Sequence, residues 1–148
     1  MASQRFVGID ISKDKVDVHC RPDGFVAQYT RDPAGLRELR RVLKNTGVVR
    51  IVVEATGGYE RTVLKALVRQ GLPVVLIQPR RARAFATAIN RLAKTDAIDA
   101  ETLAIMAEAA TQNDTLWREP TPELEALQSL VRRRHQLVTM ITAERVRM

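Results

Sequence analysis

Residues 48 to 54, Val-Val-Arg-Ile-Val-Val-Glu, form an apolar run without the in-out alternation of a half-solvated strand. A run this short and this apolar predicts a strand covered on both faces. Such a strand needs helices on either side of it, and the flanking sequence supplies them. Upstream, Asp32 stands where a helix cap belongs and Pro33 at the first helical position. Leu36, Leu39 and Leu43 then mark one helical face, and Asn45-Thr46-Gly47 ends it. Downstream, Thr56-Gly57-Gly58 turns the chain into a helix with Val63, Leu64, Leu67 and Val68 on one side, stopped by Gly71. Pro73 to Gln78 is a second short apolar strand, closed by Pro79.

The first thirty residues read differently. Residues 5 to 11 are rich in Val and Ile, as a buried strand should be, and Ser12-Lys13-Asp14-Lys15 is a polar turn. Residues 16 to 20 alternate with period two, Pro22-Asp23-Gly24 is a second turn, and Phe25 to Thr30 forms a third strand. The order is three antiparallel strands, then helix, strand, helix, strand, helix. Helix-connected strands lie parallel with right-handed crossovers. The expectation for residues 1–111 is an α/β fold of the ribonuclease-H-like plan: a mixed five-stranded sheet with flanking helices. Residues 112–121, polar and holding Pro120, read as a linker. Residues 122–148 read as one long helix in which Leu124, Leu127, Val131, Val138 and Ile141 repeat at coiled-coil spacing. Leu130 and Leu137 widen that stripe and Arg134 interrupts it, which suits a helical arm that pairs with another helix. Met148 leaves the helix without a cap, so a longer natural chain is expected.

Four carboxylates fall at places that matter on such a plan. Asp10 closes the first strand and Glu54 the fourth, at the carboxyl ends where α/β sheets carry their sites. Asp96 and Asp99 lie three apart at a helix start, so their side chains share a face. Four acids in one cleft repel one another unless a cation neutralises them. Magnesium or manganese takes oxygen ligands of this kind, and paired ions about 4 Å apart drive phosphoryl transfer. Taken singly, each acid has a plainer reading as a turn, capping or surface residue.

Charge points the same way. The 24 Lys and Arg against 17 Asp and Glu give a net charge of +7, which favours polyanion partners through counterion release. Arg80, Arg81 and Arg83 follow a strand directly, and Arg132, Arg133 and Arg134 sit together on the last helix. Lys94 precedes the acid pair, where it would touch phosphate or cap the helix. Aromatic residues make up only 4% of the chain, so an array of base-stacking platforms is not advertised. His19 and His135 have no zinc spacing, and no serine has an evident partner base. No run of about 18 apolar residues suggests a membrane span. The start of the chain lacks a signal core, and the single Cys20 precludes an internal disulfide. A cytoplasmic protein is expected.

The blocks Val7-Gly8-Ile9-Asp10-Ile11-Ser12-Lys13, Val53-Glu54-Ala55-Thr56-Gly57-Gly58-Tyr59, Ile77-Gln78-Pro79 and Lys94-Thr95-Asp96-Ala97-Ile98-Asp99-Ala100 together resemble the DEDD-type transposases of the bacterial insertion sequence one-ten family. That family is related to the pilin-gene-inverting recombinases, and the resemblance covers residues 5 to 147. It implies a RuvC-like domain in which Asp10, Glu54, Asp96 and Asp99 are catalytic and bind magnesium. It also implies a coiled-coil arm, homo-oligomers, DNA as partner, and in some members a structured guide RNA. The family's later domain carries a serine that attacks DNA. No such domain lies within these 148 residues, so full recombination by this piece alone is not expected. Three rivals stand beside this reading: a stand-alone Holliday-junction-resolvase-like nuclease, an actin- or sugar-kinase-like ATPase, and a non-catalytic nucleic-acid-binding module. The ATPase would need a Gly/Thr-rich phosphate turn after Asp10, where Ile11-Ser12-Lys13-Asp14-Lys15 has none.

Overall fold

The computed structural model describes residues 4–91, 96–109 and 114–147 of the chain, without the side chains of residues 96–98. Lys94 and Thr95 lie outside the described residues. Elements follow in the order β1 (Arg5–Ile11), β2 (Lys15–Arg21), β3 (Val26–Thr30), α1 (Pro33–Leu43), β4 (Val48–Glu54), α2 (Glu60–Val68), β5 (Val74–Ile77), α3 (Pro79–Ala88), α4 (Asp96–Ala109) and α5 (Pro122–Arg147). The sheet runs β3-β2-β1-β4-β5. β1, β2 and β3 form an antiparallel meander, whereas β1 pairs parallel with β4, and β4 with β5. This is the mixed five-stranded, ribonuclease-H-like sheet that the sequence predicts, with β4 bounded at the expected residues.

Alternation along the strands separates two cores. Val7, Ile9 and Ile11 of β1, with Val16, Val18 and Cys20 of β2 and Ile51 and Val53 of β4, pack against Leu36, Leu39 and Leu43 of α1 and Val63, Leu64 and Leu67 of α2. On the other face Val52, Val75 and Ile77 pack against Ala82 of α3 and Leu103, Met106 and Ala107 of α4, with Phe6 and Phe85 at the margin. β4 is therefore buried at the successive residues Ile51, Val52 and Val53, as its lack of alternation requires. Asp32 caps α1 by accepting a 2.8 Å hydrogen bond from the Gly35 amide.

Two features depart from expectation. A helix, α3, intervenes between β5 and the acid-bearing helix: Pro79 closes the strand by opening the first turn of α3, where its missing N–H costs nothing. Residues 114–117, inside the stretch expected to be linker, are held to the sheet. The Trp117 amide donates to the Val74 carbonyl at 2.7 Å, and the indole packs against the α1/α2 core.

The chain divides into two compact units, Met1–Trp117 and Arg118–Met148. The second, taken by itself, is the 26-residue helix α5, in which no residue is buried. Leu124, Leu127, Leu130, Val131, Leu137, Val138 and Ile141 are all exposed along it.

Candidate metal and nucleic-acid site

Glu54 is the last residue of β4, and Asp10 the last but one of β1. The parallel ladder pairs Ile9 with Val53, so one residue further on Asp10 and Glu54 stand on neighbouring strands and face the α4 side of the sheet. Asp99 belongs to the first turn of α4. What brings α4 down onto the sheet is Gly8. A Cβ at that position would lie 2.0 Å from the Ala100 carbonyl oxygen and 2.2 Å from the Ala104 amide nitrogen. The helix backbone thus rests directly on β1, and Ala100, Ala104 and Ala107 keep the contact close. The contact at Ala100 fixes the height of its neighbour Asp99.

Glu54 and Asp99 line one cleft of about 300 Å³, together with Arg83 and Thr87 of α3, Arg91, and Thr102 and Leu103 of α4. Asp10, half-buried, is not part of that lining. Asp96 opens α4, but its side chain lies outside the described residues. Among the described residues no three His, Cys, Asp or Glu side chains form a group able to hold a metal ion. Two hard carboxylates facing one cleft nonetheless fit magnesium, which keeps several waters and binds through one or two protein carboxylates plus substrate phosphate.

The cations divide into three groups. Arg83 lines the cleft, Arg80 is exposed on the first turn of α3, and Arg81 is paired with Asp114 at 2.6 Å. Arg132, Arg133 and Arg134 are exposed on α5, in the other unit. Lys94 is outside the described residues.

Four residues of this region escaped the sequence reading. Arg91 lines the cleft and grips Glu101 with both guanidinium nitrogens, at 2.5 and 3.0 Å. Those hydrogen bonds hold the Glu101 carboxyl below its ordinary range and raise the basicity of Arg91. Asp17 stands directly opposite Asp10 across the β1–β2 ladder, where two acids repel. A 2.7 Å hydrogen bond from Gln28 and Lys15 at 3.8 Å accommodate it. Gly8 had a signal in the sequence, a glycine inside a strand pattern, which marks a close backbone approach.

Glu60 organises the loop that follows Glu54. Its carboxylate accepts from the Thr56 amide at 3.1 Å, the Thr56 hydroxyl at 2.6 Å and the Gly58 amide at 2.8 Å. Burial pushes the Glu60 carboxyl up, yet these hydrogen bonds outweigh it and hold the group below its ordinary value. Gly57 and Gly58 take φ values of 81° and 137°, conformations that side chains other than hydrogen rarely adopt. His19, beneath α4, is pushed below its usual value by burial, against the pull of Glu101.

The comparisons with known proteins bear on the family and the fold. The chain is 27% identical over 156 residues to the pilin gene-inverting protein of Moraxella bovis, and 27% over 152 residues to that of Moraxella lacunata. Each match takes in 98% of this chain but 46% of the relative, so the chain spans about half the length of these curated relatives. Among solved structures, Thermus thermophilus RuvC superposes with a TM-score of 0.54 at 13% identity, covering 77% of this chain and all of RuvC. RuvC from the same organism in complex with Holliday junction substrate gives 0.57 at 13% identity, over 78% of this chain. That likeness establishes the RuvC type of ribonuclease-H-like fold. A family model described as Transposase, the DEDD type named for insertion sequence one-ten, matches residues 7–148, and the chain belongs to that family.

Proposed function

We propose that this chain is the metal-binding, nucleic-acid-holding part of a DNA transposase or recombinase. The observation that carries the reading is the cleft in which Glu54 and Asp99 from different elements face Arg83 and Arg91. Carboxylates beside arginines suit a phosphodiester whose charge is shared between metal and guanidinium. Asp10, Glu54, Asp96 and Asp99 are the proposed metal ligands and catalytic residues, with magnesium or manganese as the ion. Bound there, the ion would supply charge neutralisation at the attacking and leaving oxygens of a scissile phosphate.

The chain's own residues do the rest. Gly8 sets the height of α4, and so of Asp99. The hydrogen bonds that the Glu60 carboxylate accepts fix the turn after Glu54. Arg83 holds the phosphate, Arg80, Arg81 and Lys94 extend the contact along the nucleic-acid backbone, and the Arg132–Arg134 run gives the helical unit a nucleic-acid contact of its own, all with a salt-sensitive affinity. The exposed stripe of α5 pairs with the same helix of a second copy. DNA is the substrate, a structured guide RNA the alternative partner, and the cytoplasm the compartment. Among the described residues no helix is long and apolar enough to cross a membrane. A recombination route through a covalent protein–DNA link needs an activated serine, and among the described residues Ser12 donates to the Lys15 carbonyl rather than to a base. It therefore holds and at most nicks DNA by itself.

The test is thermal. Millimolar magnesium should raise the melting temperature, because a ligand that binds only the folded state stabilises it. Glu54→Gln and Asp99→Asn should each lose that increment while remaining folded. A parent protein indifferent to magnesium, with and without DNA, sinks the proposal. The RuvC likeness keeps a second reading in play, that of a self-sufficient junction nuclease. Efficient metal-dependent cutting of branched DNA, abolished by Asp96→Ala, would establish that reading instead.

A further inference from the structure

The carboxyl ends of β1, β3 and β4 lie at one end of the sheet, the end at which Glu54 meets the cleft. Arg31, the residue after β3, is tied there twice. Its amide donates to the Asp14 carbonyl at 3.0 Å, and its Nε donates to the Lys13 carbonyl at 2.6 Å. Held in that way, its guanidinium lies 4.9 Å from the centroid of the Tyr59 ring, a cation–π distance. Tyr59 follows the Gly57-Gly58 turn fixed by Glu60, and 43% of its surface is exposed. An aromatic residue with a cation on its ring and much of its surface open to water is not filling a core. Nothing in the metal chemistry uses it, and it sits a few residues beyond Glu54.

We propose that Tyr59, backed by Arg31, is a stacking platform for an unpaired base of single-stranded DNA entering the cleft. This rests on the reading of the cleft as a nucleic-acid site. Bases stack on aromatic rings largely without regard to sequence, because every base has a π-face. Arg31 holds the ring from one side, and its charge, with that of exposed Lys13, suits the neighbouring phosphates. A base inside a duplex has both faces covered by its stacked neighbours, so the platform selects melted over duplex DNA. The composition did not advertise stacking; one ring held in the right place is enough for one base.

The experiment uses the full chain with an oligonucleotide carrying 2-aminopurine, whose fluorescence is quenched on stacking. It is presented as a single DNA strand, as the same strand in a duplex, and as the RNA strand of the same sequence. Tyr59→Ala should weaken single-strand DNA binding about tenfold and abolish the quench, with duplex affinity unchanged. Tyr59→Phe should retain both, Tyr59→Leu should behave like the alanine variant, and Arg31→Ala should show a smaller loss. Because stacking releases no counterions, Tyr59→Ala should leave the slope of affinity against salt as it was. Equal binding of Tyr59→Ala and parent to the single DNA strand, with duplex binding intact, overturns the platform alone. So does an equal loss on strand and duplex, which would make Tyr59 a backbone contact, or a loss confined to the RNA strand. A parent that binds none of the three overturns the cleft reading as well.

Discussion

The two faces of the sheet are built by opposite rules. Against α1 and α2, large branched residues interlock: Leu39, Leu43, Leu64 and Leu67 meet Val7, Ile9, Val18 and Ile51, all within 1% of complete burial. Against α4 the contact at β1 is backbone on backbone, with Gly8 beneath Ala100 and Ala104. The first face stabilises through apolar area, at roughly 25 cal/mol per Å². The second gives up side-chain volume so that a helix bearing Asp99 can lie beside two strand ends bearing Asp10 and Glu54. The candidate acids are on the face that packs with less side chain.

The sharpest way to break this contrast is at Gly8. Gly8→Val would put side-chain carbon into the Ala100 carbonyl, a backbone atom that cannot turn aside. A loss of more than about 4 kcal/mol in denaturant unfolding, or a protein that does not fold, is expected, since only displacement of α4 relieves the overlap. Any surviving folded fraction should lack the magnesium response. A mild loss with the response intact would mean that α4 does not set the height of the acids.

Leu67→Ala probes the opposite face. It removes a fully buried side chain and should cost about 3 kcal/mol through lost burial and a residual cavity. Below its own melting temperature this variant should keep the full magnesium increment. If the increment disappears as well, the two faces are coupled and the contrast fails.

Glu60→Gln sharpens the comparison with a smaller effect. The substitution keeps the shape but weakens the three hydrogen bonds that Thr56 and Gly58 donate, and about 1–2 kcal/mol is expected. The pH dependence has a definite sign. Because the folded-state value of Glu60 is depressed, its contribution is present above the ordinary glutamate range and lost as pH falls through the folded value. Urea titrations from neutral to acid pH should therefore show parent and Glu60→Gln converging in acid. Curves that stay parallel throughout would remove Glu60 from the account.

The contrast also explains what the sequence made legible. Leu36, Leu39 and Leu43 on one helix, and Val63, Leu64 and Leu67 on another, announce a face because the residues that pack are large and regularly spaced. β4 announces itself because it is apolar on both sides. The α3/α4 face carries weaker signals. α4 is apolar around much of its circumference, with Thr102, Leu103, Ala104, Met106 and Ala107 all buried, so periodicity does not separate its sides. α3 was hidden behind Pro79, which ends a strand and begins a helix with one ring. Of the cleft, Glu54 and Asp99 were legible as a strand-end acid and a helix-start acid. Arg91 was not, because its partner Glu101 lies on a different element and no local spacing records the pair. Asp17 was missed for a similar reason: its position opposite Asp10 exists only once the hairpin register is set.

Cys20 lies on the densely packed face, buried in the α1/α2 core. Burial, with some help from Asp23, pushes its thiol up to about 11, against the opposing charge of Arg5. Near neutrality it is therefore neither nucleophilic nor reachable, and an alkylating reagent consumes it only when that face opens. The protein carries a built-in clock for the opening of one half of its interior, set on the face away from the cleft.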